Sequence, residues 1–309
     1  MGLLTKTDSS ILGVKLEHGF KIEKIGSSKL IKLIAKFESI TEFLARKRVV
    51  EKSYLNLEEG NAYIITNLID GIESTDTGDL DNKNFQILDR FDIKYCYSNF
   101  YLDIKLTLMR LFKEGHLFMP ERYYFFDDDE SLILSGDSSM GEVFRLGKTY
   151  SLEKSELQDL QTFIQSIKFP FTNSSLRLAH QNFEMAYSIY HKDLSFLALM
   201  ISMESLFNPG GSELTYRISR NTAVLIGRDR DDSRNIFRKM KKLYGKRCDI
   251  VHKGKPNAVT EDDVKDLRDY VIRSIKEFYK IGENKDEILE LLNSSGFGDR
   301  PWLRKKPLK

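Results

Sequence analysis

From Ser174 onward the apolar residues of this chain recur at three- and four-residue intervals, and strong stop signals cut the pattern into lengths. Leu176, Ala179, Phe183, Ala186 and Tyr190, then Leu197, Met200 and Ile201, trace such a stripe. That period is what a helix shows when it buries one face. The pattern is interrupted around His191-Lys192-Asp193, which predicts two helices or a kink. The second length ends at Phe207, just before Asn208-Pro209-Gly210-Gly211. A third helix is predicted over residues 213–226, stopped by Gly227. A fourth opens near Asp232 or Ser233 and carries Ile236, Phe237, Met240, Leu243, Tyr244, Ile250 and Val251. Gly254 and Pro256 close it. A fifth starts at Thr260, where Thr260-Glu261-Asp262-Asp263 reads as a capping box with Asp in place of the usual Glu. Its stripe is Val264, Leu267, Val271, Ile275 and Phe278, and a short helix follows over residues 285–292. The expectation is an all-α bundle over residues 174–295, then a loose basic tail over 296–309 in which Trp302 could dock.

Residues 1–168 read differently. Strand-like runs occur at Ala62–Leu68, Phe91–Tyr97, Tyr123–Phe126 and Ser131–Leu134, with turn residues between them. Helical stretches are predicted over residues 30–46 and 102–113. This part is expected to be a mixed α+β domain, joined to the helical part through Phe169-Pro170-Phe171-Thr172-Asn173-Ser174.

A chain of 309 residues has room for about two domains. No apolar run approaches the roughly 20 residues that span a bilayer, so no membrane partner is expected. The start, MGLLTKTDSS, lacks the plan of a signal peptide, and Lys6 breaks the myristoylation pattern. Cys96 and Cys248 are the only cysteines, which suits a reducing, cytoplasmic setting.

Several chemistries lose their best support here. The sequence has no GxxxxGK[ST] phosphate loop, no GxGxxG fingerprint and no GxSxG elbow. None of the five histidines has a second histidine or a pair of cysteines at zinc-ligand spacing. Cys248 lies four residues before His252, but two ligands alone do not make a metal centre. No cofactor is expected. The acidic run Asp127-Asp128-Asp129-Glu130 reads as a solvated hairpin turn.

What remains is Arg247 and His252, in the string LYGKRCDIVHKGKP. An arginine is a permanent cation whose planar fork suits phosphate, and a histidine exchanges protons near neutral pH. His252 falls in the last turn of its helix, where the dipole favours an imidazolium. Between Ser212 and Pro256 there are 13 Lys or Arg against 5 Asp or Glu. Such a surface draws polyanions, unless it is simply a solvated helical face. Asp249, three residues before His252, can meet it on one face and hold its tautomer, or pair instead with Lys246 or Lys253. Five residues turn a helix by about 500°, which leaves Arg247 and His252 roughly 140° apart. The expectation is that one regular helix cannot bring them together. Either the helix unwinds at His252 or a two-fold dimer assembles a composite cleft.

The helical half resembles the HEPN superfamily, specifically its Apea-like branch, over about Ser174 to Phe278. The resemblance rests on the order of LRLAHQNFEMAYSIY, the helix ending LMISMESLF, ELTYRIS, and Leu243-Tyr244 followed by Arg247-x4-His252 and Gly254. LTLMRLFKEGHLF at 106–118 is similar to a segment that often precedes this domain. The resemblance implies an HEPN-like bundle acting as a homodimeric, metal-independent endoribonuclease. Arg247 would bind the scissile phosphate, and His252 would move the proton of the 2′-hydroxyl or of the leaving oxygen. Glu204 matches an acidic position near the end of the second helix, and its alternative is a structural pair with Arg217 or Arg247. Lys246, Lys253 and Arg217 are the expected RNA contacts. The implied setting is phage defence, with residues 1–168 sensing a phage-derived trigger or restraining the nuclease. The rival reading is a non-catalytic RNA-binding or scaffold module. A toxin silenced by a nucleotidyltransferase antitoxin ranks last, because the tyrosine motif of that arrangement is not evident after His252.

Overall fold

A computed structural model describes residues 2–5, 7–17, 19–26, 29–30, 61–66, 101–122, 137–138, 148–208, 210, 212–255, 257–282 and 284–303. The chain divides into two compact units, Met1–Ile167 and Lys168–Lys309.

The first unit is built on a five-stranded antiparallel sheet. Its strands are β1 (Gly2–Thr5), β2 (Lys21–Gly26), β3 (Asn61–Thr66), β4 (Phe118–Arg122) and β5 (Asp137–Ser138), in the order β2-β3-β1-β4-β5. The register sets Leu3 against Ile64 and Ile22 against Ile65. Among the described residues the unit also holds the helices α1 (residues 101–112) and α2 (Glu156–Ser166) and a 3-10 helix, Ser9–Gly13. Thr7 Oγ1 donates to the Tyr150 carbonyl at 3.1 Å, and Arg110 Nη1 to the Leu117 carbonyl at 2.7 Å. β3 and α1 lie where sequence patterning predicts them. β1 and β2 lack the apolar run that marks β3: β1 has only four residues, and β2, KIEKIG, is half charged. The expected elements over residues 31–46, 91–97, 123–126 and 131–134, and the acidic run at 127–130, lie outside the described residues.

The second unit is helical. Its helices are α3 (Ser174–Ser188), α4 (Lys192–Phe207), α5 (Leu214–Ile226), α6 (Arg230–Lys253), α7 (Glu261–Ile281) and α8 (Lys285–Ser294). α7 sits centrally, touching α3, α4, α5 and α6. Its core stripe of Leu267, Val271, Ile275 and Phe278 is fully buried. The break between α3 and α4 falls at Ile189-Tyr190-His191, slightly earlier than the charge pattern suggests. α3 and α4 form a tight antiparallel hairpin because small residues line the seam. Ser195 Oγ donates to the Ala186 carbonyl at 2.8 Å, and Ser202 Oγ to the Ala179 carbonyl at 2.7 Å.

α6 begins at Arg230 rather than at Asp232. Asp229 is the N-cap, accepting from the backbone of Asp231 and Asp232. Its other end is Gly254, in the left-handed region at φ 58°, where glycine has no Cβ penalty. The Thr260–Asp263 capping box of α7 is present with both reciprocal bonds. The start of the tail is not loose. The Phe297 ring packs 5.7 Å from that of Phe237, Arg300 pairs with Glu277 at 2.8 Å, and Pro301–Leu303 forms a 3-10 turn. Among the described residues, no helix is long and apolar enough to cross a membrane.

Candidate functional site

The last three turns of α6 carry Arg247, Asp249 and His252. The helix runs unbroken through Lys253, so it does not unwind at His252. Arg247 Nη1 nevertheless lies 3.4 Å from His252 Nε2 within one chain. The expectation that one helix keeps them apart is therefore corrected. The 140° estimate describes Cα directions, and the long arginine side chain reaches around the axis. In this contact Nη1 donates and Nε2 accepts, which requires the ring proton to be on Nδ1.

Arg247 is held from two other sides. Its Nε is 3.3 Å from Glu204 Oε1 on α4, and its guanidinium carbon is 5.8 Å from the Tyr244 ring centre. Both partners of the ion pair are largely sheltered, with 24% and 19% of their side-chain surface exposed. Glu204 thus pairs with Arg247 and not with Arg217. Burial and the Glu204 carboxylate push the Tyr244 phenol up to about 12, which keeps it neutral as a donor beside that carboxylate. Tyr244, an apolar position of the helix and part of the Leu243-Tyr244 string, is a site residue to which sequence reasoning assigns no role of its own. Its spacing three residues before Arg247 is the signal that identifies it.

Asp249 does not hold the His252 ring. It takes Lys253 Nζ at 2.7 Å and Lys255 Nζ at 3.5 Å. The hydrogen bond from Lys253 lowers the Asp249 carboxyl, and the same bond raises the Lys253 amine. The expected tautomer-fixing role is replaced by a surface pair at the helix end. Lys246 is engaged too. Its ammonium pairs with Asp263, the capping residue of α7, and so ties the end of α6 to the start of α7. Burial alone would raise the Asp263 carboxyl, but Lys246 and Thr260 donate to it and hold it at about 2. Arg217 on α5 is partly exposed and makes no side-chain ion pair or hydrogen bond among the described residues.

The arrangement comprises one guanidinium buttressed by a carboxylate and a phenol, and one exposed imidazole at its tip. Such a cluster can receive an oxyanion and move a proton beside it. Among the described residues, no three His, Cys, Asp or Glu side chains are grouped to hold a metal ion. No protein-family model, no curated protein and no solved structure matches this chain.

Proposed function

We propose that the helical unit is an HEPN-type endoribonuclease of the Apea-like branch, cleaving RNA by attack of the ribose 2′-hydroxyl on the adjacent phosphate. The observation that carries this reading is the Arg247–His252 contact at 3.4 Å, seated on Glu204 at an accessible helix end. Once the phosphate draws the Arg247 guanidinium off the ring, His252 Nε2 is free to remove the 2′-hydroxyl proton as O2′ bonds to phosphorus. The phosphorus–O5′ bond breaks, and the departing oxygen takes a proton. The products are a 2′,3′-cyclic phosphate and a free 5′-hydroxyl. Arg247 binds the non-bridging oxygens and stabilises the charge that builds on them. With a base and a cation in hand, these steps call for no metal ion.

One imidazole performs one of the two proton transfers at a time. A second copy of the chain would supply the other. A surface beside the site suits that partner. Ala179 faces Ser202 and Ala186 faces Ser195 across the α3–α4 seam. One residue earlier on each antiparallel helix turns to the same side, since each step rotates about 100°. Those residues are Leu178, Met185, Leu194 and Ile201, and all are exposed, at 48%, 46%, 51% and 43%. Four large apolar groups on one face are an association surface. Ile201 is one turn from Glu204, so the face runs up to the Arg247–His252 pair. A two-fold dimer there would place both pairs along one cleft.

By resemblance, the reading extends to a toxin or effector in phage defence, with the first unit as its sensing or regulatory part. The test is incubation of the wild-type protein and His252→Ala with total RNA in EDTA, with and without phage lysate. Cleavage by wild type alone, leaving 2′,3′-cyclic ends, supports the proposal. Absence of cleavage by either protein favours the scaffold reading, and equal cleavage by both removes His252 from the chemistry.

A further inference from the structure

The cations nearest the site are already occupied. Lys246 is committed to Asp263, and Lys253 to Asp249. A polyanion must therefore be held elsewhere, and the outward face of α6 offers the groups. Arg238, Gly245 and His252 follow one another at seven-residue intervals, about 10 Å apart, each step drifting by only about 20° around the helix. Arg234, Lys241 and Lys242 lie within about 60° of the same line. Arg238 and Lys242 are exposed and carry no ion pair among the described residues. Asp249 also lies near this face, but Lys253 and Lys255 offset its charge.

Beside this face is an open cleft of about 430 Å³ between α6 and α7. Arg238, Lys239 and Lys242 line it from α6, and Tyr270 and Arg273 from α7. Lys239 and Arg273 are partly balanced by Asp266, Asp232 and Asp269. Arg238 and Lys242 are the surplus.

Gly245 points to what the face is for. It is exposed in the middle of a 24-residue helix, where glycine is less favourable than alanine. A Cβ there would meet nothing within 4 Å, so packing within the chain does not require glycine. Gly227 is the contrast, where a Cβ would lie 2.0 Å from Ser233 Oγ. Bare helix backbone between Lys242 and His252 admits a ligand that lies close along α6. A second copy of so basic a helix would be repelled, whereas a phosphate backbone would not.

We infer that a single RNA strand runs along the outward face of α6, with phosphates on Arg238 and Lys242 beside the α6–α7 cleft, passes over Gly245, and reaches His252 with its scissile phosphate. This rests on the ribonuclease reading and adds the path of the substrate. From residue 238 to 252 the track is about 21 Å long, enough for several phosphates.

The test uses full-length protein carrying His252→Ala, so that the RNA stays intact, and a fluorescent single-stranded 20-nucleotide RNA. Anisotropy gives Kd between 50 and 200 mM salt. Adding Arg238→Ala with Lys242→Ala is expected to raise Kd at least about tenfold. It should also flatten the slope of log Kd against log salt by about 1.4, two phosphates' worth for a single strand. Adding Gly245→Ala is expected to weaken binding while raising Tm by about 2–4 °C, a pair of changes that a purely structural glycine would not produce. Unchanged Kd and slope in the double variant, with the parent binding RNA, overturn the track. Whether wild type cleaves the same RNA then decides the ribonuclease reading separately. A parent that does not bind RNA at all overturns both.

Discussion

Asp263→Asn isolates the clamp that holds the Arg247–His252 end of α6. The Asp263 side chain is 8% exposed, receives Lys246, and accepts the Thr260 amide at 2.8 Å. Its carboxyl is lowered from 3.8 to about 2. A depressed acid contributes stability above its unfolded value and loses it as pH falls through the folded value. At 1.36 kcal/mol per unit, the contribution at pH 7 is about 2 kcal/mol. It falls to about 1 kcal/mol at pH 3 and is nearly gone at pH 2. Asparagine keeps the shape and one accepting oxygen, so the pH-dependent part of the loss reports the charge alone. Urea denaturation of wild type and variant, followed by circular dichroism at pH 7, 5, 4 and 3, measures the gap directly. The gap is expected to be nearly constant from pH 7 to 5 and to narrow below pH 4. A gap of the same size at pH 7 and pH 3 would refute the reasoning, as would a variant as stable as wild type at pH 7. Lys246 adjoins Arg247, so loosening this clamp is also expected to lower RNA cleavage at pH 7.

Further outcomes follow from the site. Glu204→Gln removes the charge that seats Arg247 and is expected to lower kcat about tenfold, equivalent to ~1.4 kcal/mol, with KM little changed. Steady-state kinetics on a short RNA check this. Asp249→Ala is expected to leave cleavage within about twofold of wild type, because Asp249 serves Lys253 and Lys255 and not His252. A large loss in that same assay would restore Asp249 to the catalytic group. Ile201→Glu places a charge on the exposed α3–α4 face and is expected to shift a dimer to monomer in sedimentation velocity, with loss of cleavage. A dimer that survives this change would move the interface elsewhere.

Much of the helical unit was readable from local chemistry. Stop signals such as Asn208-Pro209-Gly210-Gly211 and Gly227, the Thr260–Asp263 box and the glycine after Lys253 each act within one turn of chain, so sequence alone places the helix ends. The sequence pattern places the N-terminus of α6 two or three residues late because Asp229, Asp231, Asp232 and Ser233 are all competent near a helix start. Only the backbone shows which of them caps. β1 and β2 are not legible in the sequence, since they are short and their pairing partners lie far away in the chain.

The candidate site divides along the same line. The sequence by itself determined that a guanidinium and an imidazole share one basic helix end, because residue type and helical phase are local properties. It also set Arg238, Gly245 and His252 on one line, since seven residues bring a helix nearly full circle. Which side chains meet depended on reach and on neighbours from other helices. Arg247 is long enough to cover His252 despite the turn between them, and Glu204 arrives from α4 to hold it there. Asp249 and Lys246, each a plausible participant by spacing, were claimed by Lys253 and Asp263. A charged side chain settles on the opposite charge that packing brings nearest, and only the tertiary structure decides which that is.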